Sequence, residues 1–253
     1  METMYIDTSD GRLHSVFHQS LSSTDMGVVI CPPPFGLEYT NSYKALSSLS
    51  SQVASSGVHV IRFDYFGCGN SEGELIEASI ERWEDDILTI TNEMRNALDV
   101  KIIFYIGLRL GANLIHQAIE RKKIDNARVV YIAPITNIDS RHFKTICRRA
   151  DIKYNARQRS YHFEGDIMSE SLFLSIAKVH KVLEKPSKAL CVLECSQKSL
   201  LKNMISSHDK HNYTHIPLIS GEFWKRSMTV YDQSVVPRSE YNHIINWMTR
   251  NER

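Results

Sequence analysis

The residues with the clearest chemical meaning are Gly107-Leu-Arg-Leu-Gly111, set between an apolar run at 102–106 and a helical pattern at 112–121. Gly-X-Z-X-Gly between a strand and a helix is the frame of a nucleophile elbow. The small residues let strand and helix pass close together, and the turn holds its central side chain outward on a strained backbone. The central residue of such a turn is ordinarily Ser, Cys or Asp, each able to attack an electrophilic carbon. Here it is Arg109. A guanidinium stays protonated and is no nucleophile, so the frame is present and the attacking group is missing.

The backbone half of such a site does not depend on side chains. An oxyanion hole is built from N–H groups, one on the residue after the central one (Leu110) and one in the first loop, at Phe35 or Gly36. The helix behind the turn aims its N-terminus at the same spot, which favours negative charge. With Arg109 added, one expectation is an anion pocket for a carboxylate, phosphate or sulfate. The other is an internal Arg109–Glu38 pair, because a buried charge without a partner is costly.

The elements that must position these groups follow a regular rhythm. Runs 4–6 and 13–17 flank Ser9-Asp10-Gly11 as a hairpin. Run 26–31 is apolar enough for a strand buried on both faces, and it stops at Pro32-Pro33-Pro34-Phe35-Gly36. Tyr43, Leu46, Leu49 and Val53 share one helical face within 41–56, and Gly57 ends that helix. A second buried strand at 58–63 runs into the glycine-rich turn 64–73, and 80–98 is an amphipathic helix with Trp83, Ile87, Ile90 and Met94 on its core face. Further strands are predicted at 128–133, 189–194 and 215–219, and helices at 200–208 and 240–249. Alternating strand and helix means a mostly parallel twisted sheet with helices on both faces. Ligand crevices form at the carboxyl ends of such strands, where the turns 32–36, 64–73 and 107–111 all fall. Segment 135–185 breaks the rhythm with a basic stretch (Arg141, His142, Lys144, Arg148, Arg149, Lys153, Arg157, Arg159) and a helical pattern at 171–183. We read it as a helical cap inserted into a single domain spanning 1–253.

These motifs, in this order, resemble the α/β-hydrolase superfamily. Within it the chain is most similar to hydrolases encoded alongside exosortase systems, a serine-aminopeptidase-like branch. The residues that carry the likeness are Pro33-Pro34-Phe35 with Glu38, Gly67-Cys-Gly-Asn-Ser-Glu-Gly73 followed by Ala78 and Trp83, Gly107-Leu-Arg with Gly111, and Gly221-Glu-Phe-Trp224. The resemblance implies the α/β-hydrolase fold and a bacterial setting linked to exopolysaccharide or surface-protein systems.

A serine-type site also needs a histidine and an acid. The acid belongs after the strand at 189–194, where Cys195-Ser-Gln-Lys198 holds no Asp and only Glu194 is near. The histidine belongs in loop 231–237, which has none, and His243 falls later inside a predicted helix. All three members of the triad are therefore unaccounted for. Cys68 lies near the crevice and joins the candidate ligand-binding set Arg109, Leu110, Phe35, Gly36, Glu38 and Cys68, although a small residue packed under its loop is the plainer reading. Asp64 and Ser71 are read as braces of the same loop, Cys31 as core, and Phe223 and Trp224 as packing near the crevice mouth. His208, His211 and His215 cluster without a fourth ligand, so no metal is expected. His142, His162 and Glu164 are the residues of the cap that could reach the crevice.

Composition excludes several classes. A net charge of +1 leaves no nucleic-acid footprint, and no apolar run is long enough to span a membrane. Five scattered cysteines without CxxC spacing fit a reduced, cytoplasmic protein, and 1–19 lacks the apolar core of a signal peptide. No pattern calls for a cofactor or sets an oligomeric state. The expectation is a ligand-binding or accessory protein with a degenerate triad, taking an anionic, acyl-type or saccharide ligand. The alternatives are a hydrolase or acyltransferase of esters, thioesters or amides that uses another nucleophile or an activated water, and a structural partner docking through the cap or a sheet edge.

Overall fold

The computed structural model describes residues 1–22, 24–125, 127–135, 152–163, 165–176, 178–179, 189–194, 213–219, 222–224 and 237–250. Its strands are β1 (Glu2–Thr8), β2 (Gly11–His18), β3 (Met26–Cys31), β4 (His59–Phe63), β5 (Ile102–Leu108), β6 (Arg128–Ile132), β7 (Lys153–Asn155), β8 (Ser160–Phe163), β9 (Asp166–Ser169), β10 (Ala189–Glu194) and β11 (Tyr213–Pro217). The helices are α1 (Gly36–Ser55), α2 (Ile80–Leu98), α3 (Leu110–Glu120), α4 (Glu170–Ile176) and α5 (Arg238–Arg250).

Eight strands form one sheet in the order β1-β2-β4-β3-β5-β6-β10-β11. The β1–β2 hairpin joins antiparallel at one edge and every other pairing is parallel except β2 with β4. This is the α/β-hydrolase fold. Alternation along β3 shows why its sequence is apolar throughout. Val28 and Ile30 pack with Leu46, Leu49 and Val53 of α1 and with Trp247 of α5, while Val29 faces the opposite core of Trp83, Ile87, Leu114 and Ile115 from α2 and α3. Both faces of the sheet are thus covered, as the sequence pattern requires.

Several boundaries differ from the sequence reading. Helix α1 begins at Gly36 rather than 41, directly after the proline loop, because its first turn carries no apolar periodicity to reveal it. Strand β5 continues through Gly107 to Leu108, since Gly107 still pairs with Tyr131 of β6. The predicted helix at 200–208 lies outside the described residues. In segment 135–185 the helical pattern appears as the short α4, and the part before it is a three-stranded antiparallel sheet, β7-β8-β9. Phe173 of α4 stacks on Tyr161 of β8 at 3.7 Å between centroids, and both join the core that α2 and α3 cover. Asn113, buried in α3, holds both ends of the segment. It exchanges two hydrogen bonds with the Ile135 backbone, at 2.8 and 2.9 Å, and donates a third to the Val179 carbonyl at 3.4 Å.

The site is positioned by the crossing of β5 and α3. A methyl group at Gly111 would run into the carbonyl oxygens of Cys31 and Pro32, and one at Gly107 would meet the Ala112 backbone. No side-chain rotation relieves a clash with backbone. Gly111→Ala is therefore expected to lower stability by about 2–3 kcal/mol, measured by urea unfolding. A neutral result would mean the crossing is looser than described.

Candidate functional site at the β5–α3 turn

Arg109 sits at φ 53°, ψ −122°, between the last residue of β5 and the first of α3. Few non-glycine residues adopt such a conformation, and it costs on the order of 1–3 kcal/mol. Two backbone hydrogen bonds hold it there. The Arg109 N–H donates to the Ile132 carbonyl at 3.0 Å, and Ala112 donates to the Arg109 carbonyl at 3.1 Å.

The side chain is clamped as well. Nε donates to Glu38 Oε1 at 2.8 Å, Nη1 donates to the Ala133 carbonyl at 3.0 Å, and the guanidinium carbon lies 5.6 Å from the centre of the Trp224 ring. Glu38 belongs to the first turn of α1, where a carboxylate is also favoured by the helix dipole. Ala133 is itself left-handed, at φ 45°, with its N–H tied to the Leu193 carbonyl. The internal Arg109–Glu38 pair is thus formed. It leaves Nη2 without a hydrogen bond among the described residues. Leu110 follows as the first residue of α3, in the part of a helix whose N–H groups have no intrahelical acceptor.

The remaining expected ligand-binding residues gather beside this turn. A cleft of about 580 Å³ opens between the loops after β3 and β4, lined by Phe35, Gly36, Tyr39, Cys68, Ser71 and Asp166, among others. Arg109, Leu110 and Glu38 are not among its lining residues, so the single site expected from sequence is two adjoining ones that share the first loop. Cys68 follows its plainer reading, a small residue packed under the loop, while lining the cleft. Its thiol is buried, and burial together with the charges of Asp86, Asp166 and Asp64 pushes its pKa well above the usual thiol value. It lines the cleft as a protonated, packed side chain rather than as a reactive group.

Asp64 and Ser71 brace the loop as expected. The Asp64 carboxylate accepts from Tyr39 Oη at 2.9 Å and from the Asn70 N–H at 3.1 Å, with His14 Nδ1 at 3.0 Å. Ser71 Oγ donates to the Asp64 carbonyl at 2.6 Å. Asp86 of α2 completes the brace from behind, accepting from the Phe66 N–H at 2.9 Å and from Arg82 Nε at 3.2 Å. His162 meets Ser160 within its own sheet, with Nε2 3.0 Å from Oγ, and His243 faces outward on α5. Arg157, Arg159 and Lys153 are exposed, as a solvated face would be. The turn at 195–198, positions 231–236 of the loop 231–237, His142, Glu164, His208 and His211 lie outside the described residues. Among the described residues no group of three or more His, Cys, Asp or Glu side chains could hold a metal ion, and no helix is long and apolar enough to cross a membrane.

Asp166 was missed in the sequence. It opens β9, and its carboxylate accepts a hydrogen bond from the Gly36 backbone, one of the two first-loop positions (Phe35 or Gly36) offered for an oxyanion-hole amide. Burial raises its pKa against that hydrogen bond. Nothing local marks an aspartate ~130 residues from its partner, and only the packing of β9 on the 3-10 turn Leu75–Glu77 brings it there.

The order of β3, the first loop, the strained turn and α3 agrees with comparison by sequence. Residues 38–193 match the family described as serine aminopeptidase, S33. The chain belongs to that family. Among relatives, the S33 chain is 26% identical over 185 residues to the mitochondrial palmitoyl-protein thioesterase ABHD10 of Rattus norvegicus, covering 71% of this chain and 60% of the relative. The Homo sapiens protein of the same name is also 26% identical, over 187 residues, with 71% and 58% covered. The chain thus spans less than two thirds of the length of these two relatives. Among solved structures, Est1E from Butyrivibrio proteoclasticus with ferulic acid bound superposes with a TM-score of 0.65 at 14% identity, covering 97% of this chain and 99% of that one. The mouse alpha/beta hydrolase domain-containing protein 10 gives 0.57 at 17% identity, with 99% of both chains covered. At such identities the likeness is one of fold.

In this S33 chain the brace around the cleft is sensitive to pH. Burial raises the Asp86 pKa from an ordinary 3.8 to about 6, the bonds from Phe66 and Arg82 opposing it. A carboxyl whose pKa is raised by folding holds its proton more tightly in the folded state. Its contribution therefore falls as pH rises from about 4 to 6, by up to about 3 kcal/mol. Asp86→Asn should gain on the wild type by a comparable amount between pH 4 and pH 7 in paired unfolding curves. A constant difference across that range would refute a raised Asp86.

Proposed function

We propose that this S33 chain is a ligand-binding member of the fold that does not form an acyl-enzyme at its elbow, taking an anionic or acyl-type ligand. One observation carries the reading: the residue held at the nucleophile's turn is a guanidinium, clamped by Glu38 and the Ala133 carbonyl. Arg109 cannot attack a carbonyl carbon, and the Cys68 thiol of the adjoining cleft is held protonated. What remains is a set of hydrogen-bond donors, namely Arg109 Nη2 and the N-terminal amides of α3, next to a cleft large enough for a small molecule or an acyl or saccharide group. On this reading segment 135–185 acts as a cap over the crevice, with Asp166 as its contact to the first loop. The setting we propose is cytoplasmic and bacterial, in keeping with the likeness to hydrolases encoded beside exosortases. The cysteines among the described residues, Cys31, Cys68 and Cys191, are free and buried.

A second reading rests on Asp166. A half-buried carboxyl lining the cleft from β9 is a candidate base for an activated water, which would make the chain a hydrolase of esters, thioesters or amides. The relatives named as palmitoyl-protein thioesterases favour that class of bond.

A panel of short- and long-chain p-nitrophenyl esters separates the two. The first reading expects turnover at background, no labelling by a fluorophosphonate probe, and a ligand-induced rise in melting temperature that Arg109→Met abolishes. Turnover well above background that disappears in Asp166→Asn, with the fold intact by circular dichroism, would replace it with the second.

A further inference from the structure

The two edges of the eight-stranded sheet are built differently. Strand β11 is five residues long and closes on Pro217, which has no N–H to offer an incoming strand. Strand β1 lacks such protection. Its seven residues, Glu2-Thr-Met-Tyr-Ile-Asp-Thr8, include no Pro and no Lys, and they pair with β2 without a bulge from Glu2↔Phe17 to Thr8↔Gly11. Alternate N–H and C=O groups of β1 therefore point away from the sheet, and among the described residues no strand lies beyond them.

Both faces of β1 are already held in place. Ile6 is buried and Met4 packs beside it in the core that α2 covers, while Arg82 of α2 donates to Thr8 Oγ1 at 2.8 Å. On the opposite face Thr3, Tyr5 and Asp7 are exposed, Tyr5 at 50%. The Tyr5 ring is nonetheless oriented by its own chain. The Arg12 guanidinium lies 5.2 Å from its centre, and His14 meets it edge-on at 5.7 Å. A side chain ordered in advance loses little freedom when a second surface covers it.

The placing of charges in β1 says which strand fits. Two copies laid antiparallel overlap over the whole strand only when Tyr5 lies opposite Tyr5 on the twofold axis. Met4 then faces Ile6, Thr3 faces Asp7 and Glu2 faces Thr8, so no two like charges meet. A slip of one residue brings Glu2 opposite Asp7 in one direction and Met4 opposite Asp7 in the other. Either slip also sets the core face of one strand beside the exposed face of its neighbour. The strand is self-complementary in one register.

We infer that β1 is an interaction surface for a second copy of this chain, joined antiparallel and edge to edge. The two sheets then run on as one, with both α2 helices on the same side. This isologous contact satisfies the outward backbone groups of both strands and adds the Tyr5–Tyr5 pair and two Met4–Ile6 pairs. A single short strand buries little area, so the dimer is a weak one that dissociates in the micromolar range.

Sedimentation equilibrium of the full chain over a range of concentrations tests this, with circular dichroism to confirm that each variant is folded. The wild type is expected to pass from monomer to dimer as concentration rises. Thr3→Asp places a carboxylate opposite Asp7 on both sides of the axis and should weaken the dimer about tenfold, whereas Thr3→Lys places a cation there and should tighten it about threefold. Combining Thr3→Asp with Asp7→Thr removes the repulsion and should restore the wild-type affinity. A wild type that stays monomeric at the highest concentration overturns the inference. So does a dimer that both Thr3 substitutions leave unchanged or weaken alike, or one that the double variant fails to restore.

Discussion

The close crossing of β5 and α3 is the constraint on which the rest of the site depends. Gly107 and Gly111 permit it by having no Cβ to place against the backbone of Ala112, Cys31 and Pro32. Once strand and helix approach this closely, the residue between them has little choice of conformation. Arg109 is driven to φ 53°, a region that most side chains avoid. The same turn directs the N-terminus of α3 at the ends of β3 and β5, where the first loop also arrives. The backbone donors of the crevice are thus a consequence of the crossing. They are present whatever side chain occupies position 109.

Much of the fold was legible because its physics is local. The β1–β2 hairpin follows from Ser9-Asp10-Gly11. The parallel sheet follows from apolar runs such as Val28-Val29-Ile30, which only a strand covered on both faces can use. The extent of α2 was correct to the residue because its apolar stripe begins and ends with the helix, and Ser79 caps it by accepting from the Arg82 N–H. The start of α1 was not legible. Its first turn, Gly36-Leu-Glu-Tyr, has no periodic apolar residue and no side-chain cap, and it owes its conformation to contacts made elsewhere in the chain. The β7–β9 sheet was hidden for a similar reason. Its short strands bury only one face, and tyrosines and basic residues mask the alternation.

For the site, the residue types were readable and the pairings only in part. Arg109 and Glu38 could be matched from sequence because the fold places a first-loop residue opposite the elbow. Asp166 could not. Its partner is a backbone amide, which leaves no mark on the partner's residue type, and a packing contact with the 3-10 turn at Leu75–Glu77 sets the connection. Ala133 was invisible for the same reason, since it contributes a carbonyl and a left-handed backbone rather than a side chain. Ionic and side-chain chemistry is therefore easier to find in this sequence than the backbone groups that complete it.

Family membership and chemistry separate at this point. The S33 match rests on residues 38–193, and what those residues preserve physically is a crossing, a loop and a helix N-terminus. None of these forms or breaks a covalent bond. A hydrolase of this fold adds a nucleophile whose attack creates an oxyanion, and the backbone donors gain their catalytic value only as that charge develops. A guanidinium in the nucleophile's place cannot begin that attack, and the backbone donors stand beside it as hydrogen-bond groups set by the crossing. The Glu38 contact then has a different value as well. Beside a developing oxyanion a carboxylate would raise the barrier, whereas here it fixes the orientation of Arg109. Family membership therefore accounts for the geometry of the elbow, and the residue at position 109 sets which chemistry its own side chain can supply there.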